Sequence, residues 1–115
     1  MITFAYFIKL GEELVGFALL RSGSRLTNAS EVMDMAEFFV LRGQRGKGMG
    51  RSAAHAVFRA FPRAWEVRVR RTNVAAMHFW SRVVESWVGQ PVPSSPFTIE
   101  GNDWDVLRFV TGPSQ

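Results

Sequence analysis

Arg45-Gly46-Lys47-Gly48-Met49-Gly50-Arg51 has glycine at every second position and three cations among the residues between and beside them. Glycine has no Cβ, so a backbone built on it turns tightly and can lie close against a ligand. The apolar run Phe38-Phe39-Val40-Leu41 leads into this segment, and Ser52-Ala53-Ala54-His55-Ala56-Val57-Phe58 leaves it as a helix. The first amides of a helix have no partner within it. Strand, glycine loop and helix start, in that order, form a socket for an anion, usually phosphate. Arg45, Lys47 and Arg51 add positive charge. The expected occupant is the pyrophosphate of a nucleotide-like cofactor.

Two common nucleotide signatures fit only in part. A Walker A loop places lysine after its last glycine, where this chain has Met49. Gly48, Gly50 and Ala53 satisfy the spacing of a dinucleotide fingerprint, but the next strand ends in Arg68-Val69-Arg70, with no acidic residue to hold a ribose.

Glu37 is a carboxylate inside the apolar strand that precedes the loop. Burial makes a carboxylate a stronger base, so Glu37 is the general-base candidate; the alternative is a surface carboxylate or ion pair on an open face. His55 and His78 each fall on the polar side of their helix with no partner cluster, and no metal is expected. Arg68, Arg70 and Arg71 read as a solvated face. No aromatic residues are interleaved with them as stacking platforms, so nucleic acid is not the expected partner.

The elements that must position these residues follow from periodicity. Residues 3–10 and 14–21 are apolar at consecutive positions around a Gly11-Glu12 turn and predict a β-hairpin. Phe4, Tyr6 and Ile8 share one face; Ala5 and Phe7 point to the other. Such strands call for cover on both sides. Residues 22–30 form a loop and residues 31–41 a third strand. A helix over residues 49–61, ending at Pro62, buries Ala54, Val57, Phe58 and Phe61 and turns Arg51, His55 and Arg59 away. Residues 65–71 alternate strictly, with Trp65, Val67 and Val69 inward and Glu66, Arg68 and Arg70 outward. A strand, helix and strand in succession predict a parallel pair. Thr72 or Asn73 caps a second helix that buries Ala76, Phe79, Trp80, Val83, Val84 and Trp87. Residues 97–100 and 104–109 form a last hairpin about Gly101-Asn102, and residues 111–115 a loose tail.

With 115 residues, 47% hydrophobic and 21% charged, the chain predicts one domain, 1–115, with one core. Fourteen Lys and Arg against ten Asp and Glu leave a net charge of +4 and a pI of about 10.7, which suits a phosphate-bearing ligand without selecting it. There is no cysteine, hence no disulfide framework and no thiolate site. No apolar run approaches the ~20 residues of a membrane span, and no signal segment opens the chain. A cytoplasmic protein with no membrane partner is expected.

Two stretches resemble one family. Arg45-Gly46-Lys47-Gly48-Met49-Gly50 matches the Arg/Gln-x-x-Gly-x-Gly/Ala signature of the GNAT superfamily of acyl-CoA N-acyltransferases, with Val40 where that family usually has valine at the end of its cofactor strand. Asn73-Val74-Ala75-Ala76-Met77-His78-Phe79-Trp80 matches its second signature, an asparagine, an alanine three on, then an aromatic pair. The phrase Met35-Ala36-Glu37-Phe38-Phe39-Val40-Leu41-Arg42 and the C-terminal tryptophan hairpin look like a bacterial subfamily of predicted acetyltransferases.

The resemblance implies a mixed α/β sheet that begins at the first hairpin, without the family's usual first strand and first two helices. It implies that acetyl-CoA is a cosubstrate and that an acetyl group passes to a primary amine on a small molecule or peptide. The backbone around Phe38, Phe39 and Val40 would pair with the pantetheine amides. The loop Arg45, Gly46, Lys47, Gly48, Met49, Gly50 and Arg51 would hold the pyrophosphate, and Asn73, Phe79 and Trp80 would border the thiol end. Trp80 stands where the family often has a tyrosine acid. The alternative reading is a non-catalytic acyl-CoA-binding or interaction module that keeps the cofactor loop. With the first helices missing, Ala5, Phe7, Val15, Phe17 and Leu19 are short of cover, and a homodimer is expected.

Overall fold

The computed structural model describes residues 2–41, 43, 48–61 and 63–111. Among them the elements run β1 (Thr3–Leu10), β2 (Glu13–Ser22), β3 (Met33–Val40), α1 (Met49–Ala60), β4 (Ala64–Arg70), α2 (Val74–Val88), β5 (Ser95–Ile99) and β6 (Asn102–Val110). The strands form a mixed sheet in the order β1-β2-β3-β4-β6-β5. Every pair is antiparallel except β3 and β4, which run parallel on either side of the α1 crossover. The mixed α/β sheet that the resemblance implies, with the parallel pair that the strand–helix–strand succession predicts, is therefore present. β3 starts at Met33, two residues later than its composition predicts. The last turn centres on Glu100 and Gly101, not Gly101-Asn102: both have positive φ, 51° and 82°, as a tight two-residue hairpin requires. No helix among the described residues is long and apolar enough to cross a membrane.

Both helices pack on one side of the sheet. Alternate residues of the central strands, among them Leu20, Met35, Trp65, Val67 and Leu107, meet Ala54, Val57 and Phe58 of α1 and Trp80, Val83 and Val84 of α2. Phe58 is the centre of this layer, with its ring 5.2 Å from Trp65, 5.9 Å from Trp87 and 5.1 Å from Phe109. His55 does not lie on a solvated helix face as its spacing predicts. It is half-buried against α2, its Nε2 3.1 Å from the Val83 carbonyl oxygen and 3.0 Å from Ser86 Oγ, its ring 5.0 Å from Trp87. The Val83 carbonyl can only accept, so Nε2 carries the proton and the imidazole clips the helices together.

The other side of the sheet carries no helix among the described residues. Its two ends differ. Over the first halves of β3 and β4 the β2–β3 loop serves as cover: Ser24 Oγ donates to Glu66 at 2.9 Å and the Arg25 amide donates to the same carboxylate at 2.7 Å. Beside it, Asp34 takes both Nε and an NH2 of Arg68, at 3.1 and 3.2 Å, and an NH2 of Arg21 at 3.4 Å. Asp34 and Glu66 are fully buried, so the polar side of β4 is not the solvated face that its alternation predicts. Towards β1 the face is open. Phe7, Phe17 and Phe39 are cross-strand neighbours in one row, exposed by 66%, 37% and 41%. Val15, expected in the same apolar surface, is buried. The register shift after Ile8 leaves it between Gly16 and Leu14 with no partner on β1.

Candidate active site

β3 and β4 pair only at Met33–Trp65 and Asp34–Glu66. Beyond those two pairs β3 and β4 are not paired, and a cleft of about 890 Å3 opens between the end of β3 and the two helices. One wall is Phe38, Phe39 and Val40 of β3. The first turn of α1 supplies Gly48, Gly50 and Arg51. The start of α2 supplies Asn73, Ala75, Ala76, His78, Phe79, Trp80, Arg82 and Val83.

Local sequence explains how these pieces reach the cleft. Gly48 precedes α1 with φ +76°, a conformation that costs a residue with a side chain about 1–2 kcal/mol, and its carbonyl accepts the Ser52 amide at 3.0 Å. A Cβ on Gly50 would stand 3.0 and 3.1 Å from two carbons of the Phe79 ring. Glycine there lets the first turn of α1 lie directly on the aromatic floor. That floor is Phe38, Phe79 and Trp80, with centroids 5.0 to 5.8 Å apart. Asn73 caps α2: its Oδ1 accepts from the Ala76 amide at 3.0 Å.

Two helix N-termini thus line one cleft, and neither first turn holds an acidic residue. Their dipoles favour an anion, and Arg51 and Arg82 add full charges beside them.

Of the residues singled out from the sequence, Phe38, Phe39, Val40, Gly48, Gly50, Arg51, Asn73, Phe79 and Trp80 come together around this cleft. Met49 opens α1 but does not line it. Arg45, Gly46 and Lys47 lie outside the described residues. Glu37 is not part of the lining, and it is exposed. Leu19 pairs with Glu37 and Leu20 with Met35, so Ala36 is an extra residue in β3. After this bulge Phe38 and Val40 take the helix side, and Glu37 turns to the face without helices. The desolvation expected of a buried base is absent. Tyr6 packs its ring on Phe61, 5.7 Å away, and does not line the cleft.

Sequence reasoning missed Ala75, His78 and Arg82, which line the cleft from α2. The signal was available in their helical spacing, i, i+3 and i+7, behind a capped start. It also missed Gly16, whose absent Cβ would collide with the Phe39 carbonyl oxygen and lie 3.1 Å from the Val40 Cα.

A mixed sheet whose one parallel pair parts over a glycine-bounded helix start defines an acyl-CoA N-acyltransferase fold. The model of the GNAT acetyltransferase family matches residues 2–84, and the chain belongs to that family. Among solved structures, it is similar to a protein assigned to the GNAT family from Desulfovibrio desulfuricans, at TM-score 0.72 and 15% identity, over 96% of this chain and 69% of that one. An acetyltransferase from Thermus thermophilus superposes at 0.68 and 20% identity, over 93% and 64%. The PaiA N-acetyltransferase of Thermoplasma acidophilum, in complex with coenzyme A, superposes at 0.66 and 10% identity, over 93% and 61%. At these identities the likeness is one of fold. No curated protein matches the sequence.

Proposed function

We propose that the chain transfers the acetyl group of acetyl-CoA to a primary amine of a small molecule or peptide by direct attack. The observation that carries this reading is the cleft where β3 and β4 part, faced by the N-termini of both helices. Its volume, cations and glycine-lined turn suit a long anionic ligand. The pyrophosphate would meet the first turn of α1 and Arg51, and the pantetheine arm would run past Phe38 to Val40 towards Asn73.

The amine nitrogen attacks the thioester carbonyl carbon, the C–S bond breaks, and CoA leaves as thiolate while the amine gives up a proton. Glu37, on the helix-free face beside the gap, is the proposed acceptor of that proton. Trp80 cannot donate as an acid would, and a thiol with pKa near the ~8.5 of cysteine departs without one. A cysteine-free chain fits the reducing compartment in which a CoA thiol stays free, the cytoplasm.

Thiol release from acetyl-CoA over a panel of amines tests the reading. Turnover with at least one amine is expected. Gly48→Val should abolish CoA binding in calorimetry while the fold persists, because a β-branched residue resists positive φ. Stabilisation by CoA without turnover on any amine would instead make the chain a non-catalytic acyl-CoA-binding module. Near-normal affinity in the Gly48 variant would remove the phosphate socket.

A further inference from the structure

The arginines at the end of β4 differ in their partners. Arg68 is committed to Asp34, and Arg71 pairs with Asp103 at 3.8 Å and Asp105 at 3.4 Å. Arg70 pairs with no carboxylate among the described residues. One of its NH2 groups donates to Asn102 Oδ1 at 3.1 Å, and its guanidinium lies 5.3 Å from the centre of the Trp104 ring. Arg68 approaches the same ring at 5.1 Å. The aromatic platform that the local sequence around Arg68 and Arg70 lacks is thus supplied by one residue of β6, Trp104. A guanidinium fixed on an indole loses little further freedom on binding a carboxylate, and its remaining donors are exposed.

Arg70 also stands where an acceptor would arrive. It is the last residue of β4, and its carbonyl takes the amide of Asn73, which lines the cleft. Alternation along β4 turns its side chain to the helix-free face, where Glu37 and Phe39 also lie. Carrying the β3–β4 register past the extra residue Ala36 sets Glu37 opposite Arg68 and Phe39 opposite Arg70, across the gap where the strands part. An amine coming from that face to a thioester held in the gap therefore passes between a carboxylate on β3 and a guanidinium on β4.

We propose that Arg70 determines acceptor specificity, and that the acceptor is an amino acid, an amine that also bears a carboxylate. This rests on the acetyl-transfer reading above. The test compares matched acceptors, leucine with leucinamide and phenylalanine with phenylalaninamide, at saturating acetyl-CoA. The wild-type chain should prefer the carboxylate of each pair. Arg70→Gln should raise KM for the amino acids by about 10- to 100-fold, the value of a charged hydrogen-bonded pair, and leave KM for the amides and the affinity for CoA unchanged. Arg70→Lys should fall between. Equal use of both members of each pair, an equal loss on both in Arg70→Gln, or a fall in CoA affinity would overturn the assignment. Transfer to amides alone removes this inference and keeps the acetyltransferase; no transfer to any amine overturns both.

Discussion

Gly16 pairs with Val40 across the β2–β3 ladder, and the Phe39 carbonyl oxygen occupies the space a methyl group would need. Backbone cannot rotate away as a flexible side chain can. Gly16→Ala should therefore cost about 1–3 kcal/mol, as overpacking usually does. It should also displace the cleft wall, so urea unfolding and CoA titration should both register the change. A glycine inside a strand announces a close approach without saying to what, which is why the sequence left Gly16 unremarked. Glu37 is the opposite case: its place in the strand was legible, its burial was not. Adjacency to the glycine loop made it a candidate, but one extra residue, Ala36, decides the face it takes. As proposed proton acceptor it predicts that Glu37→Gln lowers turnover at saturating acetyl-CoA by roughly 10²–10⁴-fold, with CoA affinity unchanged. An unimpaired variant would leave proton removal to water.

At the scale of elements, the helix-facing side of the sheet was readable because burial there follows a period of two in strands and 3.6 in helices. Trp65, Val67 and Val69 are inward as their alternation requires. What alternation could not show is that the polar residues between them are also covered. The cover is a loop, and Ser24 and Arg25 reach Glu66 over a separation of 42 and 41 residues. Asp34, Arg68 and Arg21 complete that layer. Removing one partner of a buried pair strands the other charge, so Asp34→Ala should destabilise by about 3–5 kcal/mol. Replacing Asp34 and Arg68 together by apolar residues should cost less than the sum of the single changes. A double-mutant cycle in urea measures this, and simple additivity would refute the coupling.

For the whole molecule, the row Phe7, Phe17 and Phe39 leaves an apolar strip on the helix-free face. Isolated chains seldom tolerate a contiguous patch beyond a few hundred Å2. We propose that a second copy covers it, through a two-fold contact that could supply the ~800 Å2 per partner of an ordinary interface. Phe39, the third of the row, borders the gap opposite Arg70, so the arrangement that keeps the acceptor route open is a contact centred on Phe7 and Phe17, towards the β1 edge. Light scattering at micromolar concentration should give twice the 13.0 kDa of the chain. A soluble 13.0 kDa species would end the dimer proposal.

The meeting of β3 and β4 at two residue pairs has a further consequence, for cooperativity. On either side of it the sheet is a three-stranded antiparallel set, β1-β2-β3 and β4-β6-β5, each with its own long ladders. Backbone pairing across the middle is confined to two residue pairs, and the Asp34–Arg68 pair, the bonds of Ser24 and Arg25 to Glu66 and the helices on one face supply the rest of the connection. The two sets are thus candidates for separate opening units in native-state amide exchange. A cosubstrate in the cleft would touch the end of β3 in one set and α2, which packs on β4 and β6 of the other. Binding should make their exchange rates converge, so that the cleft which divides the sheet becomes, when filled, the element that joins it.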